Sequence, residues 1–322
     1  MGPLNIERRS RLGNPQDQRE VVPEAIAQAH AHHPRVHAAS RWVYPVLSRR
    51  SGGISIGVNL NPDKVCNYDC PYCQVDRRGP APSSEVDPAG VQAELDSLLV
   101  QVRFDGLADV FPGVDASRRK LADIALSGDG EPTSRREFPE VCRLVASARR
   151  RWIQEGGDPF RLVVITNATL LERAHVREGL GALCADGAGE IWGKLDAGTQ
   201  EFHQVVNASR VSLDRVVAQL ADCPSEFPLR IQTLFFRYHD LILDPAEIQA
   251  WMDRLRFILD RRPLAGLQLH TVARATARSG CHPLPVEWLQ QVADQIRNEL
   301  GLFVEVHGGI ESGSIQDPGG RS

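Results

Sequence analysis

Three cysteines lie within eight residues of the chain, in the stretch CNYDCPYC. They are Cys66, Cys70 and Cys73, and the other four of the seven cysteines are scattered along the sequence. A short loop with this C-x3-C-x2-C spacing can wrap around a soft metal centre, which is either zinc or an iron–sulfur cluster. An odd number of cysteines does not fit a disulfide framework. The trio therefore predicts a metal-binding loop.

The two metal centres differ in the number of ligands they need. Structural zinc takes four, and the nearest candidates for a fourth, His37 and Cys142, do not form a second closely spaced pair. Bacterial ferredoxins also use four cysteines, in a different spacing. A [4Fe–4S] cluster held by three thiolates leaves one iron with an open coordination position, where a substrate can bind. The sequence favours such a cluster over zinc.

The segments around the cysteines alternate between strand and helix. Short runs of β-branched residues recur, and a helical pattern follows each of the first six. The predicted strands are 54–60, 123–128, 162–167, 190–196, 229–236, 267–273 and 303–308. The predicted helices are 87–102, 136–151, 174–184, 212–221, 245–260 and 285–300, the fifth with Asp244 as N-cap before Pro245. This alternation predicts an α/β fold with a parallel sheet, either doubly wound or closed wholly or partly into a barrel.

Composition divides the chain into three regions. Residues 1–50 are rich in Arg, His, Pro and Ala, and are interpreted as an N-terminal extension that packs on the core. Within them, only VPEAIAQAHAHHPRVHAA could carry a helix before Pro34. Residues 51–307 form the predicted core, and the Gly/Ser/Pro-rich residues 308–322 are expected to be a flexible tail.

Charge and hydropathy exclude few functions. The chain of 322 residues is 42% hydrophobic, and its formal net charge is -4. This charge gives no global electrostatic reason to expect duplex nucleic acid or an anionic membrane as partner. No stretch approaches the roughly 18 apolar residues of a membrane span, and the N-terminus lacks the apolar segment of a secretory signal. The chain is therefore expected to stay in the cytoplasm.

Polar residues follow the predicted strands at the points where the strands end. Because the carboxyl ends of parallel strands meet at one edge of a sheet or one mouth of a barrel, these residues are expected to converge there. They are Cys66, Gly128 to Glu131, Thr166, Asn167, Lys194, Asp196, Gln232, Thr233, His270, Thr271 and Arg274. His270 and Arg274 are expected around a substrate, with a core or rim position as the alternative.

The stretch CNYDCPYC resembles the cysteine motif of the radical S-adenosylmethionine (SAM) superfamily, which follows the first strand of a repeated βα pattern. The resemblance implies a partial (β/α)6 TIM-like barrel. It also implies that Cys66, Cys70 and Cys73 hold a catalytic [4Fe–4S] cluster whose open iron binds the amino and carboxylate groups of SAM. By the same resemblance, Tyr72 lies against the adenine of SAM.

The segment ALSGDGEPT is similar to the GGE segment of that superfamily, after the second strand. The similarity implies that Gly128, Gly130 and Glu131 lie near the methionine amino group of SAM. Asp129 stands between the two glycines, so the segment reads GDGE, and the contacts of Asp129 stay open. A Gly-Asp-Gly turn allows the backbone to approach a ligand closely, since glycine has no Cβ. The alternative is an ordinary strand-to-helix turn in which Glu131 opens a helix.

Three later segments, ITNATLL, WGKLDAGTQEFHQVVN and LHTVARAT, resemble Fe–S oxidoreductases related to the wyosine-type tRNA-modifying enzymes. The resemblance makes Asn167, Lys194 and Asp196 candidates for binding the ribose or carboxylate of SAM, or the substrate. Independently of it, Lys194 and Asp196 are two apart on a predicted strand, so both face one side, which in a barrel can be the lumen. A structural ion pair that closes the barrel is the alternative.

The resemblance implies a reaction. The reduced cluster passes one electron to the sulfonium of SAM, which splits into methionine and a 5′-deoxyadenosyl radical, and the radical takes a hydrogen atom from the substrate. An external flavodoxin or ferredoxin is expected to deliver the electron. The substrate is left open between a small molecule, a peptide and an RNA.

Other functions compete with this one. Wyosine-type modification of tRNA is the first, although the chain has no second cysteine set and no basic, aromatic-interleaved face. A non-catalytic Fe–S protein for electron transfer or sensing is the second, but it needs neither the GDGE nor the KLD segment. A zinc-binding structural protein is the third.

The remaining cysteines and histidines carry weaker signals. Cys142 and Cys184 fall within helical patterns and are expected to be buried, while Cys223 is expected to be inert. Cys281 is a candidate for an exposed thiol that reacts with substrate. The histidine-rich stretch His30–His37 is interpreted as a solvated turn instead of a metal site.

Overall fold

The computed structural model describes residues 24–31, 37, 40–80, 84–241 and 243–309. An eight-stranded sheet runs through this part of the chain. The strands of the protein are β1 (Val43–Ser48), β2 (Gly53–Val58), β3 (Leu121–Leu126), β4 (Arg161–Thr166), β5 (Gly189–Lys194), β6 (Leu229–Leu234), β7 (Arg237–Tyr238), β8 (Gly266–His270), β9 (Cys281–His282) and β10 (Val304–His307). The order in the large sheet is β1-β2-β3-β4-β5-β6-β8-β10. Strands β7 and β9 form a separate antiparallel pair.

The sheet is parallel except at one edge. Strand β1 pairs antiparallel with β2, whereas every other neighbouring pair is parallel. Within the described ranges, no ladder joins the edge strands β1 and β10, and the curled sheet forms a half-barrel. The predicted partial barrel is thereby confirmed.

Helix α1 (Glu24–Ala31) precedes the sheet, and the other α-helices come after its parallel strands. They are α2 (Pro88–Arg103), α3 (Phe138–Gln154), α4 (Ala174–Cys184), α5 (Gln200–Val206), α6 (Leu213–Ala221), α7 (Pro245–Leu259) and α8 (Val286–Leu300). The predicted start of α7 is confirmed, because Asp244 accepts a hydrogen bond from the backbone N–H of Glu247 at 2.8 Å and Pro245 is the first helical residue.

The two faces of the sheet differ in polarity. In β2, Ile54, Ile56 and Val58 are fully buried in the apolar core, while the alternating residues Ser55 and Gly57 face a cavity inside the half-barrel. Side chains alternate between the two faces of a strand. The apolar core therefore lies between sheet and helices, and the lumen is left for polar chemistry.

Four elements were not predicted, namely β1, the two-residue strands β7 and β9, and helix α5. Strand β1 lies within residues 1–50, so the predicted boundary at residue 51 falls inside the β1–β2 hairpin. Its run VYPVLS contains Pro45, which an edge strand accommodates because one side of the strand needs no N–H donor. The seven-residue helix α5 is too short to show a clear period.

Three predictions lie partly outside the described residues. The predicted N-terminal extension is described only at residues 24–31, 37 and 40–50, and the predicted tail only at Gly308 and Gly309. Residues 32–36 of the histidine-rich stretch are likewise outside. His30 belongs to α1, where it is half-buried, so it is not part of a solvated turn. In the described part of the chain, every helix is too short or too polar to cross a membrane.

Candidate active site

A cavity of about 290 Å³ lies in the lumen of the half-barrel. The cysteine loop after β2 contributes Cys66, Cys70, Tyr72, Cys73 and Arg77 to its lining. The ends of the following strands contribute most of the predicted polar residues, namely Gly128, Gly130, Glu131, Thr166, Asn167, Lys194, Gln232, His270, Thr271 and Arg274. The structure thus brings residues from five strands, β3, β4, β5, β6 and β8, together around the cysteines.

Three predicted residues do not line this cavity. Asp129 and Asp196 lie behind its wall, and Thr233 is fully buried with its hydroxyl donating to the carbonyl of Leu195 at 2.8 Å. The two carboxylates bind neighbouring protein groups. Their side chains therefore shape the cavity from outside instead of facing it.

The three cysteines are half-buried free thiols. Burial raises the pKa of Cys66 to about 11, and burial also raises the pKa of Cys70. Cys66 and Cys70 therefore keep their protons at neutral pH unless a metal centre displaces them. Because Cys66, Cys70 and Cys73 line one cavity, they can bind a metal centre together.

The three cysteines lie in one loop and line one cavity. A structural zinc ion needs four ligands on a single metal, whereas a [4Fe–4S] cluster binds each thiolate on a different iron atom. Cys66, Cys70 and Cys73 therefore suit a cluster that is held by three thiolates.

Asn207, which the sequence patterns did not single out, anchors the cysteine loop. It is buried just after α5, and its Nδ2 lies 3.6 Å from the Sγ of Cys70 and 3.2 Å from the hydroxyl of Tyr72. Its carbonyl accepts a hydrogen bond from the backbone N–H of Asp69 at 3.1 Å. One residue thus fixes both the backbone and a thiol of the loop.

Arg77 joins the cysteine loop to the GDGE segment. Its guanidinium donates to the carbonyl of Asp129 at 2.6 Å and to the carbonyl of Lys64, and it lies 3.6 Å from the Sγ of Cys73. A cation beside a thiolate stabilises that thiolate. The sequence did not mark Arg77 as a site residue, because a single arginine after a cysteine motif forms no recognisable pattern.

The GDGE turn is shaped by packing against the protein itself. A Cβ on Gly128 would lie 2.3 Å from Oδ1 of Asn59, and a Cβ on Gly130 would lie 2.0 Å from the carbonyl oxygen of Val65. Neither glycine has a positive φ. The glycines are thus required by close approach of the cysteine loop, not by backbone conformation.

Asp129 is held by the same neighbour. Asn59 donates from Nδ2 to the Asp129 carboxylate at 2.7 Å and accepts from the Asp129 backbone N–H at 3.1 Å. These two hydrogen bonds fix the turn, and Asp129 does not line the cavity. This arrangement gives a physical account of the aspartate between the glycines.

Glu131 ties two strand ends together. Its carboxylate accepts hydrogen bonds from the Thr133 backbone and hydroxyl, from the Thr166 hydroxyl at 2.7 Å and from the Asn167 backbone at 2.7 Å. Burial raises the pKa of Glu131, and these hydrogen bonds oppose that rise. Glu131 also accepts the Thr133 N–H as an N-cap of a 3-10 turn, so the helix-opening role named as its alternative is present too.

Asn167 reaches from β4 toward the first cysteine. Its Nδ2 donates to Oδ1 of Asn67 at 2.6 Å and lies 3.9 Å from the Sγ of Cys66. Its own Oδ1 accepts from the Thr169 hydroxyl at 2.8 Å. Asn167 is therefore placed between the cysteine loop and the cavity.

Lys194, Tyr72 and Asp196 form one buried unit. The ammonium of Lys194 lies 4.7 Å from the centre of the Tyr72 ring and 3.4 Å from Oδ2 of Asp196. The Tyr72 hydroxyl donates to the same carboxylate oxygen. Burial works against the charge of Lys194, but Asp196 and the nearby cysteines outweigh it and raise the pKa of Lys194. The ion pair named as an alternative therefore exists, and Lys194 still faces the cavity.

The other cysteines lie away from the cavity. Cys142 and Cys223 are buried, and Cys184 is half-buried against the core. Cys281 lies in β9, where it is half-buried beside the Tyr72 and Phe236 cluster and does not line the cavity. The predicted exposed, substrate-reacting thiol at Cys281 is thus only partly accessible.

This geometry agrees with a match to known proteins. The family model of the radical SAM superfamily matches residues 60–236, more than half of the chain. The chain therefore belongs to the radical SAM superfamily.

The curated relatives are distant and longer. A UPF0026 protein of Methanocaldococcus jannaschii is 28% identical over 141 residues, which are 42% of this chain and 36% of that protein. A Brachyspira hyodysenteriae protein named GTPase Obg is 22% identical over 264 residues, 81% of this chain and 34% of that protein. The chain thus spans about a third of the length of these relatives.

Solved structures share the fold. A radical SAM methyltransferase from Sphaerobacter thermophilus superposes with a TM-score of 0.55 at 14% identity, covering 84% of this chain and 71% of that one. SuiB of Streptococcus suis bound to S-adenosylmethionine gives a TM-score of 0.51 at 12% identity, covering 78% of this chain and 50% of that one. At such low identities, the similarity extends to the fold alone.

Proposed function

We propose that this protein is a radical SAM enzyme that cleaves SAM reductively and removes a hydrogen atom from a substrate bound in the half-barrel. The observation that carries the proposal is the cavity, which joins three free cysteines to polar residues from five further strands. Pure electron carriers and structural zinc proteins need no such cavity beside their thiols. Its presence favours the catalytic function over both.

Cys66, Cys70 and Cys73 are the residues that would hold the [4Fe–4S] cluster. The chemistry that such a cluster supplies when bound is one electron, with which SAM splits into methionine and a 5′-deoxyadenosyl radical. Arg77 and Asn207 keep the thiols in place through contacts at 3.6 Å with Cys73 and Cys70. They are positioning residues in this proposal.

The SAM pocket is assigned to groups that face the cavity. Backbone groups of Gly128 and Gly130 are assigned to the methionine amino end. The ammonium of Lys194 and the amide of Asn167 are assigned to the carboxylate or ribose, because both are donors that line the cavity. A ligand with an ammonium, a carboxylate and a sulfonium needs donors and acceptors together, and this wall supplies both.

Four predicted residues receive supporting roles. Tyr72 presents its ring to the cavity and packs edge-on against Phe236, with centroids 5.1 Å apart, which suits contact with the adenine. Glu131 fixes the turn that carries the two glycines. Asp129 and Asp196 are assigned positioning roles, since their carboxylates hold Asn59 and Lys194.

The protein must also keep water and other hydrogen donors from a reactive radical. Tyr72, Phe236 and Val272 belong to one buried apolar cluster at the cavity, and Tyr72 and Val272 line it. We assign this cluster to shielding the reacting carbon. An external flavodoxin or ferredoxin delivers the electron in this proposal, and wyosine-type RNA modification stays a prediction from sequence.

The experiment starts with anaerobic reconstitution of the protein with iron and sulfide. Dithionite and SAM are then added, and methionine and 5′-deoxyadenosine are measured by mass spectrometry. We expect both products from the wild type and none from Cys70→Ala. Cys184→Ala is the matched control, because this half-buried thiol lies outside the loop and should leave cleavage intact.

Each outcome separates the competing functions. A brown, reducible protein that neither binds nor cleaves SAM would move the electron-carrier or sensor function ahead. A colourless protein that holds zinc would overturn the proposal, as would full SAM cleavage by Cys70→Ala.

A further inference from the structure

The lumen cavity carries more positive than negative groups. Its lining includes five Arg and Lys residues but two carboxylates, Asp123 and Glu131. The carboxylate of Glu131 is occupied by four protein donors. The cations are Arg49, Arg50, Arg77, Lys194 and Arg274. A cavity with this imbalance attracts an anion.

Part of that charge belongs to the site already described. Arg77 donates to two backbone carbonyls, and Lys194 pairs with Asp196. Arg49 and Arg50 are positively charged lining residues that have no role in the proposed SAM site. They follow the last residue of β1, in the turn of the β1–β2 hairpin. We call Arg49, Arg50, His270 and His307 the basic wall.

The basic wall spans the open side of the half-barrel. Arg49 donates to the carbonyl of Gly308 at 2.5 Å, which links the turn after the first strand to the end of β10. His270 and His307 are the last residues of β8 and β10 and pair in register. Residues far apart in sequence thus meet at one end of the lumen.

Arg50 lacks an anionic partner there. Its guanidinium lies over the Trp192 ring, 5.3 Å from the ring centre, and no carboxylate among the described residues is within ion-pair distance. Asp123 is the carboxylate whose charge acts on Arg50, but it forms no ion pair with Arg50, and its Oδ1 accepts from Ser55 at 2.5 Å. The guanidinium edge is therefore free to bind a ligand.

Unpartnered polar atoms point to the same place. In the described part of the chain, the buried side-chain nitrogen and oxygen atoms without a hydrogen-bond partner are Nε of Arg77, Oδ2 of Asp123, Nε1 of Trp192, Nδ1 of His270 and Nε2 of His307. All five residues line this one cavity. Buried polar groups are normally paired, so a set of unpaired ones around a cavity indicates a missing ligand or solvent.

The electrostatic environment is consistent with this view. Burial and, after it, the charges of Arg50, Arg49 and Arg230 lower the pKa of His307 to about 4. Burial, with Arg50 as the next cause, also holds the pKa of His270 well below its usual range. At neutral pH both imidazoles are uncharged, so each can donate one hydrogen bond beside two guanidinium cations.

We propose that the basic wall binds an anionic group of the substrate, a phosphate or a carboxylate on a small molecule. Arg49 and Arg50 supply the charge, and His270 and His307 supply neutral hydrogen-bond donors. This inference rests on the proposed function, because it assigns a substrate class to the same lumen. Anchoring one end of the substrate at this wall holds a C–H bond toward the cysteine end of the cavity.

The test measures anion binding directly, by calorimetric titration of the full chain reconstituted with its cluster, with and without saturating SAM. The probes are inorganic phosphate and malonate, at an ionic strength held constant with chloride. We expect one of them to bind at one site per chain with SAM present. The tighter probe identifies the phosphate or the carboxylate as the substrate group.

Variants locate the site. Arg50→Gln should weaken binding about tenfold or more, because it removes a charged donor, and Arg49→Gln should also weaken it. Arg143→Gln is the control, since Arg143 is an exposed helix residue paired with Glu178 and should bind like wild type. Circular dichroism checks that the variants fold, and if Arg50→Gln does not fold, Arg49→Gln carries the test.

Several results would overturn the inference. They are no binding of either probe to wild type, unchanged binding in both hairpin variants, and displacement of the probe by SAM. SAM cleavage is measured on the same samples. Cleavage without anion binding removes the inference alone, whereas anion binding without cleavage removes the proposed function.

Discussion

The Nδ2 atom of Asn207 lies 2.8 Å from Oδ2 of Asp196, whose side chain is fully enclosed by protein. The same nitrogen is 3.6 Å from the Sγ of Cys70. The side-chain amide of Asn207 thus connects Asp196, which pairs with Lys194, to Cys70, one of the three predicted cluster ligands. Cluster loop and SAM pocket share one hydrogen-bonded support.

Replacing Asn207 by Ala should loosen that support. The buried Asp196 carboxylate loses a donor, and an unsatisfied buried group costs about 1–3 kcal/mol of unfolding free energy. We expect less iron bound per chain after reconstitution and a faster loss of the visible absorbance on exposure to chelator. Asn298→Ala, an exposed change in α8, is the control and should match wild type. Equal iron retention in both variants would contradict the anchoring role.

Replacing Asp196 by Asn should destabilise the protein, because it leaves the ammonium of Lys194 with 18% side-chain exposure and no carboxylate. Breaking a buried pair in this way costs about 3 kcal/mol. The double variant Asp196→Asn with Lys194→Met should recover part of the loss, since no unpaired charge remains. Urea unfolding of the wild type, the two single variants Asp196→Asn and Lys194→Met, and the double variant measures these losses of stability. Strictly additive losses would show that the two residues are not coupled.

Replacing Arg77 by Gln should shift the reduction potential of the bound cluster to more negative values. A cation and hydrogen-bond donor near a cysteine sulfur favours the reduced, more negatively charged state. Redox titration followed by electron paramagnetic resonance measures the potential. Arg78→Gln is the control, because that side chain is 80% exposed and pairs with Asp76. An unchanged potential in Arg77→Gln would leave Arg77 with a purely structural role.

Replacing Gly130 by Ala should destabilise the cysteine loop, because the new Cβ would lie 2.0 Å from the Val65 carbonyl oxygen and 2.6 Å from the Cβ of Asn61. We expect a lower melting temperature and poor cluster incorporation. The control is Gly181→Ala in α4, where a Cβ meets no atom within 4 Å. That change should be stabilising by about 0.5–1 kcal/mol, since glycine is a poor helix residue. A Gly130→Ala protein as stable as wild type would show that the turn is not tightly packed.

Histidines of the basic wall should make stability depend on pH. The pKa of His307 is about 4 in the folded protein and about 6.5 when unfolded. As the pH falls, His307 therefore binds a proton in the unfolded chain before it does so in the folded protein. The stability that comes from the uncharged His307 is fully present above about pH 6.5 and is lost as the pH falls toward 4. Arg49, Arg50, Arg230 and His270 are the charged or titratable groups that act with it.

Urea unfolding at pH 7 and pH 5 measures this loss. His307→Gln has no proton to take up, so its stability should fall less between the two pH values, by about 1–2 kcal/mol. The exposed residue His282 in β9 provides the control His282→Gln, which should keep the wild-type dependence. Identical pH dependence in all three proteins would show that His307 does not titrate in this way.

The sequence by itself determined the fold class and the centre of the site. The hydrophobic periods of strands and helices arise from the burial of neighbouring residues, so they can be read directly along the sequence. The strand ends lie close to the positions where one period gives way to the other. Thiols at close spacing are equally local, since one loop holds all three. Hence Cys66, Cys70 and Cys73 and most of the cavity-lining strand ends could be predicted.

The tertiary structure alone decided which side chains act together. Asn207 and Cys70 are 137 residues apart, and Arg49 and Gly308 are 259 apart, so no local pattern couples either pair. It also decided that Asp129 and Asp196 do not line the cavity and that their carboxylates bind Asn59 and Lys194 instead. Strand β1 was not predicted because its own sequence contains a proline and gives no clear strand pattern. It is a strand because it pairs with β2 in the hairpin. Periodicity records burial along the chain, whereas hydrogen-bond partners are set by the folding of distant segments onto each other.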